Sequence, residues 1–468
     1  MASGWTIVVD IGKTLSKATL WDEDAHCVAS RTRANQRQIS GSSLILDVVG
    51  IERWLVSVLA EYATLGRVTA IIPVAHGAGA ALISRGRLQC APLDYEWNGI
   101  SADRSAYDKQ RDPFSETGSP ALPGGLNLGI QLHWLESLKS TDFREGFIVP
   151  WAQYWAWRLC GVLASEVTSL GCHTDLWRPY AAAPSELAIR RGWAERIAPL
   201  TAAKTVLGTL EPEWVKQTGL SSRAEVYCGL HDSNAALLEA RSQRALQGHD
   251  ATMLSTGTWF IAMRSPLDIS RSRIDALPEA RDCLVNVDAA GAPVPSARFM
   301  GGREIEILAG TPAADSDPSA ANGAHQASVV RAIESGEMIL PSGVPGVGPF
   351  PNGRRRAVAL IKSDHPAALA YLYAALLADV SLDLIGSCDT VLVEGKFSVA
   401  PIFVQALASL RPSTRILISG DANGVARGAL RLADVKSNAA PELKRASLLP
   451  VDITDYRRRW REAAASAI

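Results

Sequence analysis

A strand, a glycine-containing turn and a second strand occur twice in this chain, and few folds accommodate that repetition. Residues 5–22 (WTIVVDIGKTLSKATLWD) and residues 252–263 (TMLSTGTWFIAM) both read as β-rich runs joined by a short turn. After each, apolar β-type runs alternate with helical patterns, which calls for a sheet with helices on its faces. Two readings fit. Either the chain has two similar halves, each opening with a hairpin, or two unrelated domains share a common motif. At 468 residues there is ample length for two or three domains.

Between the hairpins, residues 69–74 (TAIIPV) read as a buried strand, 151–160 and 181–199 as helices, 223–230 as a strand and 233–240 as a helix. Residues 92–127, rich in Pro, Gly, Asp and Ser, read as a long functional loop or a small insertion. Beyond the second hairpin, residues 314–325 read as a flexible loop. A strongly apolar helix over 370–385 follows, then strand 390–393, helix 401–410, strand 414–418 and helix 425–432.

Lys plus Arg number 47 and Asp plus Glu 48, a net charge of -1. That balance argues against nucleic acid or a membrane surface as the main partner, since both reward a basic excess. The run Arg354, Arg355, Arg356 reads as a solvated loop. The seven cysteines are scattered and contain no C-x-x-C pair, so neither a disulfide framework nor a zinc site is expected. The apolar start, residues 5–9, ends at Asp10 and is too short for a signal-peptide core. No run of about 18 apolar residues suggests a spanning helix. The expectation is a soluble, cytoplasmic protein.

The chemistry-bearing residues sit at the turns. In Asp10-Ile11-Gly12-Lys13-Thr14 the Gly-Lys-Thr suggests a Walker phosphate loop, but Ile7 stands where that motif needs its first glycine. A tight turn with backbone N–H groups, a hydroxyl and a lysine can still hold phosphate; it can equally be a plain hairpin turn. Ser255-Thr256-Gly257-Thr258-Trp259 carries the same two readings. Two such turns in one chain favour phosphate, because a triphosphate held between two domains needs donors from each. Asp232 ends a strand pattern and opens a helix pattern. There it can cap the helix, or accept the proton of an attacking hydroxyl in phosphoryl transfer.

Taken together, these segments resemble the FGGY carbohydrate kinases, within the actin-like, sugar-kinase and chaperone ATPase superfamily. VVDIGKTLSKATLWD resembles the family's opening phosphate hairpin, IIPVAHGAGAAL the segment whose His helps hold the sugar, and GLHDSNAALLEA the catalytic-Asp segment. STGTWFIAM is similar to the second phosphate hairpin, and LVEGKFSVAPIFVQALASL to the turn and helix beside the adenosine. YWAWRLCGVLASEVTSLG adds a sixth match, and all six stand in the family's order.

The resemblance implies an α/β fold of two ribonuclease-H-like (actin-like) domains, residues 1–243 and 244–468, with the active site in a cleft between them. It implies ATP and Mg²⁺ as cofactors and a small sugar as substrate, with no nucleic-acid or membrane partner and room for a homodimer. Asp232 takes the role of catalytic base, and Asp10 lies near the magnesium. Lys13, Thr14, Lys17, Gly257, Thr258 and Gly395 fall where the family contacts ATP, and His76 and His231 fall at sugar-side positions. His231-Asp232 and Gly257-Thr258-Trp259 look closest to the rhamnulokinases and fuculokinases, which points to a ketose or deoxyketose.

The chain departs from the family's pattern in three places. Glu394 stands where a glycine usually opens the adenosine turn, Lys13 where Thr or Ala is common, and Gln153 where Asp is common. Two alternatives remain: a non-catalytic sugar- or nucleotide-binding protein on the same scaffold, or an actin-like ATPase acting on a protein partner.

Overall fold

The computed structural model describes residues 4–41, 43–97, 99–100, 104–138, 145–268, 276–310, 317–320, 323–353, 365–420, 423–435 and 442–466. The Arg354–356 run and part of the 314–325 segment lie outside them; His325 belongs to the helix Gly323–Ser335. Two compact units emerge. One comprises Met1–Glu239, Val285–Pro293 and Asn423–Ala440, the other Ala240–Leu284, Val294–Ala422 and Pro441–Ile468.

In the first unit, Trp5–Ile11, Leu15–Trp21 and Cys27–Ala34 form an antiparallel meander. Val68–Ala75 pairs in parallel with the other edge of Trp5–Ile11, followed by Glu225–Tyr227 and then Val206–Thr209. Successive side chains of a strand point to opposite faces, and here both faces are covered. Ile7, Val9 and Ile11 pack with Leu55, Leu59 and Trp155 from the helices Val48–Ala63 and Trp151–Cys160. Val8 faces the other way, into a cluster with Ile72, Val74, Ala235, Ala426 and Ala429. Burial on both faces explains why the first strand is almost continuously apolar. The helices Asp232–Ser242 and Gly424–Leu430 meet closely on that second face. A Cβ on Gly428 would lie 1.7 Å from the Ala235 carbonyl oxygen.

The sequence suggests one strand over 223–230; the structure has two short ones, Glu225–Tyr227 and Leu230–His231, both parallel to Val68–Ala75. Gly229 breaks the run with φ of 73°, and a Cβ there would lie 1.9 Å from the Pro73 carbonyl oxygen. The buried Gln153 amide spans the break, donating from Nε2 to the carbonyls of Cys228 and Gly229 at 3.2 Å each. A carboxylate could not donate there, which gives the departure at position 153 a local reason.

The helix expected over 181–199 shrinks to Glu186–Arg190, capped by the Ser185 hydroxyl and followed by Gly192 at φ of 64°. Of residues 92–127, Leu93, Ile100 and Tyr107 pack on the helix Leu128–Ser137 in a core shared with Leu82, Ile148, Leu187 and Trp193.

The second unit repeats the plan. Ala251–Thr256, Phe260–Ser265 and Pro293–Phe299 pair antiparallel in that order, with Cys283–Val287 outside Pro293–Phe299, and Thr390–Gly395 then Arg415–Ser419 continue in parallel from Ala251–Thr256. Phe260 anchors its core, with ring centroids 5.0–5.4 Å from Phe299, Phe397 and Phe403. Pro366–Leu384 is long and apolar enough to cross a bilayer, contrary to the expectation that no segment is, yet 83% of its apolar window is buried inside the protein. Its fully buried Asp379 accepts bonds from Arg411, Arg457 and Arg461, pairing that suits a core helix.

The strand break yields the first prediction. Gly229→Ala combines a left-handed backbone with a collision against main chain, so it should destabilise the fold by on the order of 3 kcal/mol. Urea denaturation of the variant, with the midpoint shifted and the slope unchanged, measures this.

Candidate active site

The C-terminal ends of three parallel strands in the first unit deliver Asp10, His76, His231 and Asp232. Asp10 stands opposite Val74, and His231 opposite Ala75. His76 follows directly, its N–H donating to the Ile11 carbonyl at 3.3 Å. Open α/β sheets bind ligands beyond such strand ends.

Asp10 lies on the same strand face as Val8, toward the helix that Asp232 begins. One of its carboxylate oxygens is buried with no partner among the described residues. Burial first, and then the nearby Asp232 carboxylate, push the Asp10 carboxyl up to about 8, with Lys17 opposing. A buried carboxyl raised by a neighbouring carboxylate suits a divalent cation. The described residues offer no cluster of three or more His, Cys, Asp or Glu for a metal cage. Mg²⁺ needs none, since it keeps waters and takes one or two carboxylates plus phosphate oxygens.

His76 is buried beside Tyr95 and Trp151. Its Nδ1 lies 2.7 Å from the Gly77 carbonyl and can only donate there, so Nε2 is left as an acceptor, buried and without a partner among the described residues. Burial depresses its pKa to about 4, which keeps the ring neutral. An orphaned acceptor of this kind is ready for a hydroxyl proton.

His231 is also buried and pushed toward its neutral form. Its Nε2 lies 3.1 Å from Asp232 Oδ1 and 3.4 Å from Cys172 Sγ, and its Nδ1 lies 3.1 Å from Asn234 Nδ2. Its backbone N–H donates to Thr168 Oγ1, which itself donates to the buried Glu166. Burial raises the Glu166 carboxyl to about 7. Gly77 makes room for all of this, because a Cβ there would lie 2.4 Å from Cys172 Sγ and 3.0 Å from His231 Nε2. Asp232 accepts at Oδ1 from the Ser233 amide and hydroxyl as well.

The first turn is less uniform than its sequence suggests. Thr14 is exposed at its tip. Lys17 donates to Asn423 Oδ1 at 2.7 Å. Lys13 turns away into an ion pair with the fully buried Asp94 and lies 5.0 Å from the Tyr95 ring centroid.

In the second unit, Gly257 and the exposed Thr258 form the turn between Ala251–Thr256 and Phe260–Ser265. Gly302 approaches so closely that a Cβ on it would lie 2.3 Å from the Gly257 carbonyl oxygen. Gly395 adopts φ of 84° against the Thr256 backbone, so only glycine fits. Glu394 is a strand residue registered opposite Ser255, and needs no glycine-like freedom. The departure at 394 therefore leaves the turn intact.

Sequence reasoning gave no role to Glu166, Thr168, Cys172, Asn234 or Asp94. Asn234 had a local signal, two residues beyond Asp232. The others are joined to the site only through tertiary contacts.

A raised carboxyl pKa fixes a sign. Asp10 holds its proton in the folded chain up to about pH 8 but only to 3.8 in the unfolded chain, so its favourable contribution is full below pH 4 and is lost as pH rises through 8. With a chelator present, Asp10→Asn should gain thermal stability relative to wild type as pH goes from 5 to 8, with the difference level above 9. Melting curves across that range check it.

A family model described as "Carbohydrate kinase FGGY, C-terminal domain" matches residues 248–442. Comparison with curated proteins gave no match. A carbohydrate kinase from Novosphingobium aromaticivorans is 47% identical over 100% of both chains, with a TM-score of 0.91. The fold alone is shared with a xylulose kinase from Lactobacillus acidophilus (15% identity, 99% of this chain and 98% of that one, TM-score 0.79). It is shared too with the ADP-bound glycerol kinase of Plasmodium falciparum (11% identity, the same coverage, TM-score 0.77). Near-half identity along the entire length, with the same fold, makes this chain a member of the FGGY carbohydrate kinase family.

Proposed function

We propose that the chain transfers the γ-phosphoryl group of ATP to a hydroxyl of a small sugar, a ketose or deoxyketose, with Asp232 as the base. The observation that carries this reading is the setting of Asp232. Among the described residues, the hydrogen bonds to its carboxylate, from the Ser233 amide and hydroxyl, both end on Oδ1, and His231 Nε2 lies against that same oxygen, which leaves Oδ2 available to a substrate hydroxyl. A pure binder or helix cap gains nothing from that arrangement.

The acceptor oxygen attacks the γ-phosphorus in line, its proton passes to Asp232, and the bond to the ADP oxygen breaks. His76 Nε2 accepts from a sugar hydroxyl, and His231 lines the same side. Lys17, Thr14, Gly257 and Thr258 serve the phosphates, and Gly395 the adenosine. Lys13, committed to Asp94, acts on the sugar side or must exchange partners to reach phosphate. Mg²⁺ would be held through Asp10 and the phosphates, where it neutralises charge on the transferring group.

The ketose preference draws on His231-Asp232 and Gly257-Thr258-Trp259, and on similarly folded xylulose kinases. Seven free thiols and dependence on ATP suit the cytoplasm.

Sugar-dependent ADP release should be greatest with ketoses in a panel of xylulose, fuculose, rhamnulose, gluconate and glycerol. ATP hydrolysis that no sugar stimulates would refute the reading. Asp232→Asn should lower kcat by about 10²–10⁴ while KM values move little, because the lost interaction belongs to the transition state. Steady-state kinetics of the variant decides between a base and a cap.

A further inference from the structure

We propose that Lys13 is a specificity-determining residue on the sugar side: held by the buried Asp94 carboxylate, its ammonium donates to the carbonyl oxygen of an open-chain ketose and so selects ketoses over polyols. The inference deepens the reading of this chain as a ketose kinase and rests on it.

The first hairpin sends its two lysines to opposite faces of the sheet end. Lys17 stands across the hairpin from Asp10, and directly opposed residues share a face. Val8 lies on that face too, and there Lys17 reaches Asn423, just ahead of the packed helix Gly424–Leu430. Lys13 goes the other way. Its ion pair with Asp94 lies beside Tyr95, with Nζ 5.0 Å from the Tyr95 ring centroid and the His76 ring set edge-on to Tyr95 at 5.5 Å. His76 in turn lies 6.5 Å from the ring of Trp151, which begins the helix covering the Ile7, Val9 and Ile11 face. The charges sort in the same way. Lys17 acts on Asp10 and Lys13 on His76, while Asp232 acts on both. The base therefore stands between a lysine on the phosphate side and one on the sugar side.

The chemistry of an ammonium narrows what Lys13 can read, because it has three N–H donors and no acceptor. Among the described residues its partner is Asp94, which leaves donors for a ligand. A carbonyl oxygen brings lone pairs and no proton. A hydroxyl in the same place also brings a proton that Lys13 cannot accept, and Asp94, fully buried, is out of its reach. Charge decides between a carbonyl and a carboxylate. Asp94 pairs with Arg37 as well, at 3.0 Å, and Arg37 with Glu96, so two cations meet two carboxylates. No surplus positive charge remains to reward an anionic substrate, which favours a neutral oxo group. The Lys13 side chain is only 11% exposed, so the bond it offers is largely shielded from water.

The test is steady-state kinetics on matched pairs: xylulose with xylitol, fuculose with fucitol, and rhamnulose with rhamnitol. For the best pair, wild type should favour the ketose in kcat/KM by about 10- to 100-fold, the worth of one hydrogen bond from a charged donor. Lys13→Met should erase most of that preference by raising the ketose KM, with kcat and the KM for ATP held within about threefold, the pattern of lost ground-state binding. Lys13→Met/Asp94→Asn removes the buried carboxylate as well, in case the single variant does not fold, and should behave alike. A wild type that takes a polyol or gluconate at least as readily as the ketose would overturn the proposal and leave the kinase reading standing. So would a variant whose KM for ATP rises about tenfold or more while the ketose KM holds, since Lys13 would then serve the phosphates. Absence of sugar-stimulated ADP release from wild type with every sugar tested would instead overturn the kinase reading and remove the proposal with it.

Discussion

The contact between Gly229 and the Pro73 carbonyl sets the geometry on which the site depends. With no Cβ and a left-handed backbone, the chain can step past the neighbouring strand at residue 229 and rejoin it at Leu230. That step ends the strand two residues later and starts a helix at once, so His231 and Asp232 emerge where Asp10 and His76 also end their strands. Gln153 holds the step from beneath through two carbonyl bonds. The sheet supplies rigidity, and the break supplies direction.

Burial then does most of the electrostatic tuning. Desolvation is the largest cause of the shifts at Asp10, His76, His231 and Glu166, and it drives all four toward their neutral forms. With both imidazoles neutral, the charges that act within the site are the Asp232 carboxylate, Lys17 and Lys13.

Much of the fold could be read from the sequence because its signals are local. The two hairpins are announced by β-rich runs around Gly12 and Gly257, and the doubly covered strand by its continuous apolar run. The helix over 181–199 misled because an apolar pattern there belongs to packing around short elements, interrupted by Gly192. Asp10, His76 and Asp232 stand out as polar residues at the ends of apolar strands. Thr168, Glu166 and Cys172 do not, since their link to His231 exists only once strands far apart in sequence are paired. Glu394 misled in another way. A family pattern counts glycines, whereas the backbone requires one only at Gly395.

The unpartnered buried atoms described above have a consequence for how this protein can be improved. Among the described residues, Asp10 Oδ1, His76 Nε2, Gln153 Oε1, Glu166 Oε1 and Asn234 Oδ1 find no partner, and all belong to the site or its immediate support. Each unpaired atom lowers the stability of the resting fold, and a replacement raises it only where it spares the bonds the residue makes elsewhere, as those of Gln153 and Glu166 show. A selection for heat resistance alone would drift toward such replacements and return durable proteins with failing chemistry. A library screened for thermostability should hold these five positions fixed and look for its gains elsewhere.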